Sequence, residues 1–131
     1  MGMQAAKSAV DIGIVVKDIE ASLAFYVGVL GLNKIGELPL PFGRMHRLGF
    51  GESFVKLIDP KKVPSAGGIG LMNELGIRYI TFQVANIDEV YADCEKAGAP
   101  VEIPKQELMP GVIIAMVRDP DGNVVEFVQR A

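Results

Sequence analysis

The 131-residue sequence has no tryptophan, one cysteine and one histidine, and its formal net charge is −3. Cys94 alone cannot form an internal disulfide, which favours a reducing compartment. A negative net charge gives no electrostatic reason to expect nucleic acid as a partner. No apolar run reaches the roughly 18 residues of a membrane span, and the N-terminal residues lack the apolar stretch of a signal peptide. These absences favour a cytoplasmic protein that binds neither nucleic acid nor membrane.

One pattern occurs twice in the sequence, at an offset of 68 residues from Asp11 to Tyr79. Each copy begins with an alternating strand, followed by an Asx residue and a helix that opens with isoleucine and an acidic residue. The Asx residues, Asp18 and Asn86, are the predicted N-caps of the two helices. A repeat of this length is too long for a solenoid and indicates a duplicated module. Function is therefore expected at equivalent positions of the two halves.

The predicted fold class is α+β. Alternating segments and turn signals give each half a βαβββ order, with module one at about 9–58, a connection at 59–76 and module two at about 77–129. The eight strands are expected to form a cupped mixed sheet in a single domain, with both helices on its outer face. The long connection is either a lid or binding loop or a simple linker, and both interpretations stay open.

Strand parity divides the side chains between two faces of the sheet. One face is purely apolar and is expected to pack under the helices. The other mixes polar, ionisable and small residues, which is typical of a face that is solvated or lines a cavity. On that face Asp11 is equivalent to Tyr79, and Lys56 is equivalent to Glu126 at an offset of 70, and these four are the predicted catalytic residues. Residues of the same face that are predicted to contact a substrate are Thr81, Gln83 and Met116.

The orientation of the single histidine, His46, depends on the length of the turn at 49–53. If His46 lies opposite Lys56 across this turn, His46 and Arg44 both point to the polar face. A shorter turn directs Arg47 to that face instead. The prediction follows the first alternative, so His46 and Arg44 are the remaining substrate-binding candidates, as a general acid or base and as an anion clamp.

Three motifs lie near the two ends of the chain: Ile14-Val15-Val16-x-Asp18, Ser22-x-x-Phe25-Tyr26-x-x-x-Leu30-Gly31-Leu32 and Asp119-Pro120-Asp121-Gly122-Asn123-x-x-Glu126. With these motifs the chain resembles the vicinal oxygen chelate superfamily, which includes glyoxalases, bleomycin-resistance proteins and extradiol dioxygenases. The resemblance implies paired βαβββ units, often within a homodimer, and a divalent metal held by one side chain from each of four equivalent positions. In metal-dependent members these positions hold His, Gln or Glu. Here they hold Asp11, Lys56, Tyr79 and Glu126, and only Glu126 keeps the pattern.

Lys56 therefore stands at a position where metal-dependent members have a ligand. Its ammonium has no lone pair for a metal and repels a divalent cation. We accordingly expect no metal and no other cofactor. Two interpretations of the polar cluster remain: Lys56, Asp11 and Glu126 form a salt-bridged plug, or Lys56 polarises a substrate carbonyl while Glu126 or Asp11 acts as base and Tyr79 as proton donor.

Three functions are compatible with these residues. The first is a metal-independent isomerase- or lyase-like enzyme that transfers protons on a small oxygenated organic compound. The alternative is a non-catalytic protein that sequesters a ligand, as in the antibiotic-resistance branch. A metal-dependent lactoylglutathione lyase-like or epimerase-like enzyme is the third. The expected partners are a small molecule and a second copy of the chain.

Overall fold

The computed structural model describes residues 2–131, which form two compact units that divide between Pro64 and Ser65. The first unit contains β1 (Ile12–Val15), α1 (Ile19–Leu23), a π-helical segment (Ala24–Val29), β2 (Asn33–Leu40), β3 (Gly43–Phe50) and β4 (Ser53–Pro60). The second contains β5 (Tyr79–Gln83), α2 (Ile87–Lys96), β6 (Val101–Met109), β7 (Val112–Arg118) and β8 (Val124–Arg130). The α+β class and the two tandem βαβββ modules are confirmed.

Each unit has its own four-stranded mixed sheet, in the order β1-β4-β3-β2 or β5-β8-β7-β6. The first strand of each unit is parallel to the last, and the other neighbours are antiparallel. Ile12 pairs with Val55 in the first sheet, and Ile80 pairs with Val125 in the second. These two pairs are related by the offsets of 68 and 70 residues seen in the sequence, so the structure confirms that alignment.

The two helices begin differently. The Asp18 carboxylate accepts hydrogen bonds from the backbone N–H groups of Glu20 and Ala21, at 3.1 and 3.2 Å, as an N-cap residue should. Asn86 occupies the equivalent position, but its side chain makes no capping bond. The Ile87 N–H instead donates to the side-chain oxygen of Gln129 on β8, at 2.7 Å. A strand side chain thus replaces the predicted local cap and ties α2 to its own sheet.

The helical part of the first unit, α1 together with the π-helical segment, contains one residue more than α2. From Ile19 to Gly31 the chain advances twelve positions, whereas from Ile87 to Gly98 it advances eleven. Both glycines end their helices with positive φ, +79° and +76°. The additional residue is accommodated by the π-helical segment, where the Leu30 N–H donates to the Phe25 carbonyl five residues earlier, at 2.9 Å.

One face of each sheet is buried beneath that unit's helix. In the first unit this face carries Val55 and Leu57, and in the second Val125 and Phe127, all at most 2% exposed. Burying a side chain of this size stabilises a fold by about 1.5–3 kcal/mol. The opposite face of each sheet, termed here the helix-free face, carries the predicted catalytic residues.

The connection between the units is irregular from residue 61 to residue 78. It folds on itself where the Gly68 N–H donates to the Glu74 carboxylate, at 2.8 Å, and where the Asn73 side chain donates to the Ile69 carbonyl. The side chain of Ile69 lies against Gly122, where an added Cβ would come within 3.0 Å of it. The connection therefore has its own contacts within the second unit. None of the described helices has the length and hydropathy needed to cross a membrane.

Candidate functional site

The turn between β3 and β4 decides which side chains share a face with Lys56. Phe50 pairs with Ser53, so only Gly51 and Glu52 form the loop. Gly51 has a φ of +55°, which the first position of such a two-residue turn requires. Because of this short turn, Arg47 lies directly opposite Lys56. The prediction that His46 opposes Lys56 is wrong by one residue, and a slip of one residue moves a side chain to the other face.

His46 and Arg44 instead share the face of Leu57, which lies opposite His46 and is fully buried. His46 is 6% exposed, and neither of its ring nitrogens has a hydrogen-bond partner among the described residues. Its Nδ1 lies 3.8 Å from the Glu37 carboxylate, which also accepts from Arg44 at 3.4 Å. The hydrogen bond from Lys34 lowers the pKa of Glu37 below its ordinary value. The register thus removes the argument for a substrate-binding role of His46 and Arg44.

Asp11, immediately before β1, is held by two donors. One carboxylate oxygen accepts from Lys7 Nζ at 2.7 Å and from the Phe54 backbone N–H at 2.8 Å. These two hydrogen bonds, the one from Lys7 first, hold the pKa of the Asp11 carboxyl below its ordinary value. Lys56 lowers it only through its field. The Asp11–Lys56 ion pair of the plug interpretation therefore does not form, because Lys7 takes its place.

The Phe54 ring is close to two cations on the helix-free face of the first unit. Its ring centroid is 4.4 Å from Lys7 Nζ and 4.5 Å from the Arg47 guanidinium carbon. Both distances are within the range of cation–π attraction. Lys7 and Phe54 were not predicted as site residues, since Lys7 reaches the site from an irregular segment by contacts with Asp11 and the Glu52 carbonyl. Phe54 lies two positions before Lys56 on β4 and therefore shares its face.

The second unit groups the other candidates. Glu126 pairs with Thr81 on β5 and with Met116 on β7, so the predicted opposition of Met116 and Glu126 is confirmed. The Thr81 hydroxyl donates to Glu126 Oε1 at 2.7 Å. Tyr79 is 48% exposed, and Gln83, two positions beyond Thr81, is also exposed. Asp11 and Lys56 belong to the first unit, and a single site that combines them with Tyr79 and Glu126 stays a prediction.

The side chains at the four ligand positions form a poor donor set for a divalent cation. Lys56 offers no lone pair while it is charged. One oxygen of Asp11 is already occupied by Lys7 and Phe54, and one of Glu126 by Thr81. Across residues 2–131, no three His, Cys, Asp or Glu side chains gather into a metal-binding group. These residues therefore do not fit a divalent metal ion.

The only thiol in the sequence does not belong to this cluster. Cys94 is buried on α2, and burial, with a smaller effect of Asp93, raises its pKa to about 11. Because the thiolate is the nucleophilic form, a thiol of this kind is unreactive at neutral pH. Cys94 is therefore a core residue.

Comparison with known proteins identifies the class that this fold and site define. The sequence matches the profile of the Glyoxalase/Bleomycin resistance protein/Dioxygenase superfamily over residues 8–127. The chain belongs to this superfamily. No curated protein matches the sequence.

Solved structures show the same fold. A lactoylglutathione lyase from Agrobacterium tumefaciens is 26% identical, with a TM-score of 0.67 over 95% of this chain and 96% of that chain. A glyoxalase family protein from Enterococcus faecalis is 25% identical, with a TM-score of 0.69 over 91% and 93%. An antibiotic-binding protein from Streptomyces sp. CB03234 is 24% identical, with a TM-score of 0.72 over 98% and 100%. Both catalytic and binding proteins therefore use this fold.

Proposed function

We propose that this protein is a metal-independent isomerase- or lyase-like enzyme that transfers a proton on a small oxygenated organic compound. The observation that carries the proposal is the ammonium of Lys56. It occupies a position that the superfamily resemblance assigns to a metal ligand, and within residues 2–64 it forms no ion pair or side-chain hydrogen bond. A cation in this situation is available to a ligand.

In the proposed reaction Lys56 donates a hydrogen bond to a substrate carbonyl oxygen. The Glu126 carboxylate removes a proton from the adjacent carbon, and the electron pair of that C–H bond moves toward the oxygen, where Lys56 stabilises the negative charge. The Thr81 hydroxyl fixes Oε1 of Glu126 and leaves Oε2 for the substrate. Tyr79 supplies the proton that completes an isomerisation, or protonates the leaving group of an elimination. Glu126 then releases its proton to water and the Tyr79 phenolate takes one up, which restores both groups. Asp11, oriented by Lys7, contributes negative charge beside Lys56.

The experiment is a proton-exchange assay in D₂O with a panel of small ketones, oxo acids and hydroxy acids, followed by ¹H NMR. Loss of one C–H signal should be catalysed by the wild-type protein and slowed about 100-fold or more by Glu126→Gln and by Lys56→Met. Lys61→Met, which removes an exposed lysine of the connection, is the matched control and should exchange at the wild-type rate. Exchange that survives both site variants would refute the assigned roles.

A non-catalytic ligand-binding protein is the second candidate function, supported by the structural likeness to the antibiotic-binding protein. The same experiment separates the two candidates. Saturable binding of a compound without exchange of any of its protons would favour sequestration. Stoichiometric binding of nickel or zinc by calorimetry would favour the third, metal-dependent alternative. The homodimer and the cytoplasmic location stay predictions.

A further inference from the structure

The helix-free face of the first unit carries two cations directly opposite each other. Arg47 on β3 pairs in register with Lys56 on β4. Like charges at directly opposed positions of an antiparallel pair destabilise a sheet. Within residues 2–64 neither side chain forms an ion pair, and Lys7 adds a third cation whose only carboxylate partner there is Asp11. With three cations and one carboxylate among these side chains, this face has an excess of positive charge.

The positions on either side of this pair of cations carry no side chain. The cross-sheet row continues from Lys56 to Gly13 on β1 and from Arg47 to Gly36 on β2. A Cβ added at Gly13 or at Gly36 would meet no atom within 4 Å. The two cations thus stand between two positions without side chains, so a ligand can approach them from the face of the sheet.

The next row on the same face is apolar. It consists of Val15, Ile58, Met45 and Leu38, which are paired in register across the four strands. Val15 is 50% exposed and Leu38 is 38% exposed. On the other side of the cations lies the ring of Phe54, which orients Arg47. The face therefore offers charge recognition in its centre and apolar contact beside it.

From these observations we infer that the ligand is a short oxo acid with an apolar tail. This inference rests on the proposed function and names its substrate class. The Arg47 guanidinium binds the carboxylate through two parallel N–H···O bonds, a geometry that arginine favours. Lys56, whose Cα lies roughly 5 Å from that of Arg47 in such a pair, donates to the neighbouring carbonyl oxygen. The apolar tail contacts the row that begins at Val15.

The test compares binding of 2-oxohexanoate with that of its uncharged amide, 2-oxohexanamide, by calorimetry on the full chain at low ionic strength. The wild-type protein should bind the acid at least about tenfold more tightly than the amide, as a charge-assisted bidentate contact implies. Arg47→Gln should abolish this preference. Arg44→Gln is the matched control, because Arg44 lies on the same strand but on the opposite face, and it should leave the preference intact.

Equal affinity for acid and amide, no binding of either, or an equal loss in Arg44→Gln would overturn the inference. Backbone amide shifts in NMR provide a second measurement, since the acid should perturb Phe54 and Lys56 in the wild-type protein and not in Arg47→Gln. Failure of this inference is distinguishable from failure of the proposed function. If proton exchange requires Lys56 but is unchanged in Arg47→Gln, the proposed reaction stands and the oxo-acid ligand class is wrong. If the protein binds the acid selectively but catalyses no exchange, the ligand class stands and the proposed reaction is wrong.

Discussion

The two units build the same sheet but place different side chains on the central row of its helix-free face. In the first unit the row is Gly13, Lys56, Arg47 and Gly36. In the second unit the corresponding row is Thr81, Glu126, Met116 and Ile103. Among residues 2–64 neither cation of the first row forms an ion pair, and both stand between positions without side chains. The second contains one carboxylate that is hydrogen-bonded by its neighbour.

On the helix-covered faces, by contrast, the two units carry similar side chains. Leu57 and Phe127 occupy equivalent positions at an offset of 70 and are at most 1% exposed. The duplicated module therefore retains the apolar face that folding requires, while the other face differs. Burial therefore constrains the first set of residues, and the difference on the other face is what the proposed ligand site predicts.

The largest effect should come from truncating a buried side chain on the helix-covered face of either unit. Phe127→Ala is expected to lower the free energy of unfolding by about 3–5 kcal/mol, and Leu57→Ala by about 2–5 kcal/mol, because each leaves a cavity beneath a helix. Urea unfolding followed by circular dichroism measures both. A loss below about 1 kcal/mol in either variant would contradict the equivalence of the two cores.

The next effect is a pH dependence of stability that arises from Cys94 on α2, in the second unit alone. Burial raises the pKa of Cys94 from 9.0 to about 11. When the pKa of a thiol is higher in the folded state than in the unfolded state, its contribution to stability is complete at pH values below the unfolded-state pKa. This contribution is lost as pH rises through the folded-state pKa. The stability of the wild-type protein relative to Cys94→Ala should therefore fall by about 2 kcal/mol between pH 9 and pH 11. Urea unfolding at pH 8, 9, 10 and 11 measures the difference, and a constant difference would refute it.

The sequence was sufficient to predict the helix-covered faces, because a period of two along each strand depends only on neighbouring residues. It could not fix the register of β3. Gly49-Phe50-Gly51-Glu52-Ser53 contains two glycines, and a turn centred one residue away reverses every side chain of the strand. His46 and Arg44 were assigned to the wrong face for this reason alone.

Contacts between distant parts of the chain were also beyond the sequence pattern. Lys7 reaches the Glu52 carbonyl across 45 residues, and Gln129 caps α2 across 42. Lys7 lies outside the motifs and the periodic segments, and the alternation of β8 does not indicate that Gln129 contacts the start of α2. Strand parity therefore predicted the faces of the candidate side chains except on β3, and the contacts of Lys7 and Gln129 were missed because they depend on tertiary structure.

The turns before β4 and β8, the last strands of the two units, allow a comparison in which smaller changes in stability are expected. Asp119, 3% exposed, accepts from the backbone N–H groups of Asp121 and Asn123 and from the Asn123 side chain, at 2.8–2.9 Å. Asp119→Ala should cost about 2 kcal/mol, because buried donors lose their acceptor. Gly51→Ala should cost about 1 kcal/mol, the strain of a Cβ at positive φ. Thermal and urea unfolding measure both, and a larger loss in Gly51→Ala would reverse the comparison.

The smallest effect is expected when the negative charge of the second row, at Glu126, is introduced at the equivalent position of the first row, Lys56. Lys56→Glu converts the pair with Arg47 from like charges to opposite charges and should raise the free energy of unfolding by at most about 1 kcal/mol, because the new carboxylate also repels Asp11. The gain should diminish at 1 M salt, where exposed charges are screened. Glu126→Lys is the matched control, because its cross-strand neighbour Met116 is uncharged and the new ammonium loses the Thr81 hydrogen bond. A gain in Glu126→Lys, or a loss in Lys56→Glu at low salt, would show that the two cations of the first row are stabilised by neighbours other than a ligand.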